Sequence, residues 1–419
     1  MTRALKTAGA AAFVLLIGAA RPAGAQPAPP AATQPAPPAS RVMPQPIPLE
    51  GPAINPSVYK VPAGAKTINV DCDDTKQTLA GALADKSGAD LNIVFSGTCK
   101  EYLYIQRDGV AIRGKDATAT IVGAIEITAA RRILLEGFTC RDNTQLEYCI
   151  GALYGASVML HNIKVFNATI RGVEIFNAVA VIEGLTIEKT GSTSVLIRGS
   201  AVRLEGQLNF SDTLEGCLVI DGVSSVFSKN GAITARDCAS GMIVQSNSTF
   251  QAPFATFNLN HNSFAGLMLI SQGTMSYGGS IVAKNNTQAG IYIDDSSSFS
   301  PFTNISGGSS LTLENNGGAG VYLTRGSYAE LANIPSNTGA TYGVFVDDSR
   351  LRIGHSKISD NKKADVRLQF GARAVFLDAN VVGTLTCDGT ELVRGAKAPC
   401  TPDAKPTATK PAAGPSDKQ

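Results

Sequence analysis

Two acidic doublets, Asp294–Asp295 and Asp347–Asp348, close two copies of one short phrase, "AGIYIDD" and "YGVFVDD". A third copy, "AGVYLTR" from Ala319, lies between them. Paired carboxylates can hydrolyse a glycosidic bond or hold a divalent cation. The central aromatic of each phrase, Tyr292, Tyr322 or Phe345, can stack on a sugar ring. An inverting hydrolase separates its two carboxyls by about 6.5–9.5 Å. If each phrase is one rung of a stack spaced about 4.8 Å, the doublets stand about 10 Å apart with Thr324 between them. That is slightly wide, and it favours reading the doublets as polar strand ends entering turns.

Other reactive groups are scattered. Glu174, Arg198 and Asp221 make a weaker candidate cluster. His161, His261 and His355 occupy different registers. With three His and no CxxC pair, no metal centre and no cofactor are expected; calcium at Asp294, Asp347 and Asp348 would be weak.

The elements that position these residues follow from the phrase, which recurs. Anchored on its Gly or the residue in its place, it stands at Gly172, Ser194, Gly216, Gly241, Gly266, Gly290, Gly320, Gly343 and Asp365. The spacing is 22 to 30 residues. Most of these coils are too short for helical repeats of about 33–34 residues. Within each phrase, apolar residues flank the middle one at period two, as Val173 and Ile175 flank Glu174, and that is a strand. Several short strands per coil, separated by turns, describe a parallel β-helix.

If the flanking residues fill the core, the middle ones face outward. In order they are Glu174, Leu196, Leu218, Ile243, Met268, Tyr292, Tyr322, Phe345 and Arg367. The run from Leu196 to Phe345 would extend roughly 34 Å, a patch of a few hundred Å². It could lie under the protein's own loops or Pro-rich arm, bind a partner or a second copy, or bind sugar through Tyr292, Tyr322 and Phe345. A second register, four residues before the anchor, holds Asp212, Asp237, Asn262, Asn286, Asn316 and Asn361, with Asn167 five before Gly172. These suit a turn ladder, since Asn and Asp tolerate left-handed backbone. "DDTKQTLAGALADK" predicts an N-terminal capping helix, with Leu79, Ala80 and Leu83 on one face and Asp73 and Asp74 near its start. Between Ala124 and Gly172 the phase is ambiguous, and "YCIGALYG" fits two registers.

From about Thr67 to Thr386 the chain resembles the right-handed parallel β-helix proteins of the pectin-lyase-like superfamily. The "GVxI"-type strands, the Asn turn ladder, "SGTCKEYLYI" and "RRILLEGFTCRDN" carry the resemblance. It implies an all-β, right-handed parallel β-helix, and an outer face that in this superfamily commonly carries catalysis with Asp-bound calcium and Arg or Lys. The Asn-Thr-Asp, Asp-Asp, Gly-His-Gly and Arg-Ile-Lys set of polygalacturonases is missing, as is the Asp-Pro-His-Asp run of mannuronan epimerases.

The ends of the chain set the compartment. Arg3 and Lys6, an apolar run and "AGA" before Gln26 read as a signal peptide over 1–25. A Pro/Ala-rich linker follows over 26–62, then the β-helix domain over 63–400 and a tail over 401–419. Eight Cys in an exported chain favour disulfides, and sequential neighbours are expected to pair: Cys72–Cys99, Cys140–Cys149, Cys217–Cys238 and Cys387–Cys400. A net charge of +2 with 17% charged residues argues against nucleic acid, and no span is expected after signal cleavage. The expectation is a secreted or periplasmic envelope protein that binds polysaccharide or a surface partner without strong catalysis, with self-association through the apolar stripe. The alternative is a polysaccharide lyase or glycoside hydrolase using the outer face, so enzymatic activity is left open.

Overall fold

The computed structural model describes residues 54–144, 146–302, 308–377, 380–396 and 399–402. The expected leader over 1–25, most of the Pro/Ala-rich stretch and the tail after Pro402 lie outside the described residues.

The repeat phrases form one parallel sheet of fourteen strands, one per coil, from Tyr102–Ile105 to Thr401–Pro402. Apolar residues at the flanking positions stack inward. Val173, Val195, Leu218, Met242, Leu267, Ile291, Val321, Val344 and Val366 pair in register from coil to coil and are buried. Among the described residues, Lys357–Ile358 pairs with Val381–Val382 on its own, and the other twenty-three strands join a second parallel array. There the long strands Ser157–Ala168, Val179–Thr190 and Ala201–Thr213 run through what later coils divide in two, such as Ser225–Phe227 and Ala232–Arg236. The long strands bend at left-handed residues: Asn162 with φ 52°, Gly184 with φ 69° and Gly206 with φ 67°. A Cβ on Gly184 would stand 2.4 Å from Asn162 Oδ1, so the bend there requires glycine. The architecture is the all-β parallel β-helix that the repeat demanded.

The interior corners carry two polar ladders. In one, the backbone N–H and side-chain amide of Asn262 donate to Asn286 Oδ1, both at 3.0 Å. Asn286 donates in the same way to Asn316 Oδ1 at 3.1 and 3.0 Å, and all three Asn are buried. Each amide also caps a carbonyl of the preceding coil, as Asn286 Nδ2 does for Leu259 at 3.0 Å. The expected single row divides into two. Asn167, Asp212 and Asp237 are not ladder members; they occupy the adjacent left-handed row with His261, Asn285, Asn315 and Asp360, at φ between 55° and 60°. The turns differ by one residue, so counting back from the anchor lands on different rows. At the opposite corner a serine ladder runs unforeseen: Ser200 N–H donates to Ser224 Oγ at 3.2 Å, and Ser224 N–H to Ser248 Oγ at 3.1 Å.

All four expected disulfides are present. The helix is shorter than predicted, Leu79–Leu83, and buries Leu79 and Ala82 while Ala80 faces solvent. Thr78, not an aspartate, is its N-cap, and Glu101 accepts from the backbone N–H groups of Leu79 and Ala80 at 2.8 and 2.9 Å. Asp74 instead holds its own turn by accepting from Lys76 N–H. The described end of the Pro-rich stretch docks on the solenoid: Ile54 and Tyr59 pack with Val181 on the outside of the second array. A 2.7 Å hydrogen bond joins Tyr59 Oη to Ser157 Oγ. No helix among the described residues is long and apolar enough to cross a membrane.

Candidate functional site

The outward row of the fourteen-stranded sheet is continuous. It runs Tyr104, Glu126, Gly151, Glu174, Leu196, Val219, Ile243, Met268, Tyr292, Tyr322, Phe345, Arg367 and Thr386. One expected member is corrected. Leu218 is fully buried in the core column and Val219 takes the outward place. The cause is Cys217. Gly216 pairs with Ser240, so Cys217 stands level with Gly241 and turns inward to meet Cys238. The true anchor of that coil is Cys217 rather than Gly216, and every residue after it shifts by one. The ambiguous stretch is settled as well, with Ile150 opposite Val173 and Gly151 opposite Glu174.

Four expected ligand-binding residues meet in one column. Tyr292 stacks on Tyr322 with ring centroids 5.4 Å apart, and Tyr322 on Phe345 at 4.8 Å. Phe264 packs edge-on against Tyr292, and Tyr342 tilts against Phe345 at 5.1 Å. The Arg367 guanidinium lies over Tyr342 and Phe345, 5.7 and 5.9 Å from their centroids, and Lys363 lies over Tyr342 at 5.9 Å. Tyr292, Tyr322, Tyr342 and Arg367 remain half-buried, with part of each surface open to solvent. The arm segment that docks on Val181 covers a different sheet.

The acidic doublets divide by role. Asp294 is 2% exposed and is held in an ion pair by Arg325, through Nε and a second guanidinium nitrogen. It also accepts from Tyr292 Oη at 3.2 Å. Asp295 and Asp348 are left-handed turn residues with φ 52° and 43°. Asp347 lies beyond Thr324, on the strand paired to that of Tyr322. Burial holds its carboxyl above the usual range; a Gln369 hydrogen bond opposes this, and Asp348 and Asp388 add to it. Burial raises the Tyr322 phenol, and Asp347 and Asp294 raise it further. The weaker cluster separates into two ion pairs, Arg198 with Asp221 at 2.9 Å and Arg171 with Glu174 at 2.8 Å.

The same face continues beyond Glu174 into a group not foreseen from sequence: Tyr102, Tyr104, Glu126 and Tyr148. "YLYI" at 102–105 and "AIEI" at 124–127 carry the same alternation as the repeat phrase, but the phase could not be carried across Gly151. Elsewhere a shallow depression of about 330 Å³ lies on the outside of the second array, against Thr234, Thr256, Asn258, Asn260, Val282 and Lys284. The aromatic column does not line it. Among the described residues, Cys72, Cys99 and Glu101 are close enough together to suggest a metal, but the two sulfurs form a disulfide.

No protein-family model and no curated protein matches the chain. Solved structures similar to it include the following three. The A-module of the Azotobacter vinelandii mannuronan C-5 epimerase AlgE4 is 14% identical, over 82% of this chain and 96% of that one, with a TM-score of 0.41. A mutant of the periplasmic alginate epimerase AlgG is 12% identical, over 74% and 84%, with a TM-score of 0.45. The alginate lyase AlyF-OU02 is 11% identical, over 83% and 91%, with a TM-score of 0.34. Likenesses at this level assign no activity. The chain is a parallel β-helix on the strength of its own strand pairing, with an aromatic column on the outer face of its most regular sheet.

Proposed function

We propose that the protein is an exported envelope β-helix that binds polysaccharide along the outward row from Tyr292 to Arg367 and does little or no chemistry on it. One observation carries the reading: three aromatic rings stack at centroid spacings of 5.4 and 4.8 Å along an outer column that ends in Arg367, with Tyr292 and Tyr322 partly open to solvent and Phe345, only 8% exposed, backing them. Such a column offers a sugar chain a rigid apolar edge, and cationic and hydroxyl groups beside it supply hydrogen bonds. The acids argue against hydrolysis. Asp294 is neutralised by Arg325, and Asp295 and Asp348 are committed to turns. Four disulfides suit an oxidising compartment outside the cytosol.

A second reading, a lyase or hydrolase on the same face, draws on Asp347, a partly buried carboxyl with a raised pKa beside an aromatic column. The test is retention on acidic and neutral polysaccharides together with assays for unsaturated products and new reducing ends, with and without calcium. Binding without turnover, lost in Tyr292→Ser and Tyr322→Ser, is the expected result. Retention unchanged in both variants would reject the binding face. Turnover abolished by Asp347→Ala would establish the enzyme instead.

A further inference from the structure

About seven rungs from Tyr292, or roughly 34 Å at the spacing of paired strands, the outward row reaches Glu126. Its Oε2 accepts hydrogen bonds from Tyr102 Oη at 2.9 Å and Tyr148 Oη at 3.0 Å, and its Oε1 from Thr128 Oγ1 at 3.1 Å. The nearby Glu174 is matched by Arg171, which also holds Glu147. Glu126 differs: among the described residues no Lys, Arg or His forms an ion pair with it. The missing side chain of Gly151 makes room for Tyr148, whose ring stands 2.3 Å from where a Cβ would be. Tyr102 and Tyr104 stack at 6.4 Å and are 37% and 46% exposed, large aromatics presented to solvent beside the carboxylate.

A fixed carboxylate flanked by exposed π-faces attracts a cation and repels an anion. Burial and the hydrogen bond to Glu126 push the Tyr102 phenol up to about 12, so it remains a donor at neutral pH. Two phenols and a threonine fix the direction of the carboxylate, while Tyr102 and Tyr104, stacked on each other, each keep part of their surface in solvent. A point charge without ring stacking would suit a metal ion as well; the aromatic pair favours an organic ammonium group.

We infer that Glu126, Tyr102 and Tyr104 form a subsite for an ammonium group, presented by an amino sugar in the polysaccharide that this face binds. The inference rests on the glycan-binding reading of the face and narrows its ligand to a chain carrying free amines. The experiment measures binding of a glucosamine oligosaccharide and its N-acetylated counterpart by titration calorimetry, using the full chain and its Glu126→Gln, Tyr104→Ala and Tyr322→Ala variants. Glutamine keeps the acceptor oxygen for the tyrosines, so Glu126→Gln preserves the local fold. The free amine is expected to bind at least tenfold tighter than the acetylated form, with the difference erased by Glu126→Gln and reduced by Tyr104→Ala. Equal binding of both oligosaccharides, weakened by Tyr322→Ala but not by Glu126→Gln, would overturn the ammonium subsite and leave the aromatic face standing. Amine-selective binding that ignores Tyr322→Ala would keep the subsite and reject the aromatic column. Absence of binding by the amine oligosaccharide at millimolar concentration would also overturn the subsite.

Discussion

Tyr322 and Phe345 lie face to face, 9° from parallel, on strands that pair them directly. The backbone ladder sets this column, so its rings are already aligned before any ligand arrives. Pre-alignment lowers the ordering cost of binding. Replacing Tyr322 with Phe keeps the stacking face and should change polysaccharide retention by less than about twofold, whereas Tyr322→Ala should weaken it about tenfold. Affinity electrophoresis in gels containing the glycan measures both.

The register around Cys217 separates two neighbouring residues. Leu218 fills the core and Val219 faces outward. Leu218→Ala should cost about 2–5 kcal/mol, and Val219→Ala, which loses fewer carbons from a position still 8% exposed, roughly half as much. Equal losses in urea denaturation would contradict the shifted register.

The buried amide ladder predicts a specific weakness at Asn286. Its Oδ1 serves two donors of Asn262, and its own amide serves Asn316 and Leu259. Asn286→Ala leaves several buried groups without partners, at about 1–3 kcal/mol each before relaxation. The denaturation midpoint should fall well below that of an exposed-turn control such as Asn285→Ala.

Asp347 should make stability depend on pH. Its folded pKa is raised, chiefly by burial. The folded state therefore holds this proton more tightly than the unfolded chain, and stability falls as pH rises from the unfolded value near 3.9 through the folded one. Asp347→Asn should stabilise the protein at pH 7, with the gain vanishing at about pH 4 and below. Water screens this partly exposed group, so the gain is under about 1 kcal/mol. A variant less stable than the parent at pH 7 but equal at pH 4 would reverse the assigned sign.

Cys217–Cys238 joins successive turns across 21 residues. Replacing both with alanine should lower stability by about 2–4 kcal/mol. Peptide mapping without reductant should recover this link and the other three, each between sequence neighbours.

The sequence by itself determined the solenoid, because period-two strands recurring in short coils have few ways to bury their apolar faces except by stacking on one another. It also determined that Tyr292, Tyr322, Phe345 and Arg367 share a face, since each stands at the same place in its phrase. Disulfide pairing was expected between sequence neighbours but was not fixed by the sequence; the folded chain pairs them that way. What only tertiary structure decided was where each coil gains or loses a residue. Turns absorb such changes without disturbing the strands, and a shift of one reverses which side chain faces in. That is why Leu218 exchanged places with Val219, why Asp212 and Asp237 left the asparagine ladder, and why the tyrosines around Glu126 stayed hidden behind Gly151. The charge state of the acids was equally out of reach. Arg325 follows Asp294 by thirty-one residues, and only the stacking of adjacent coils brings its guanidinium onto that carboxylate.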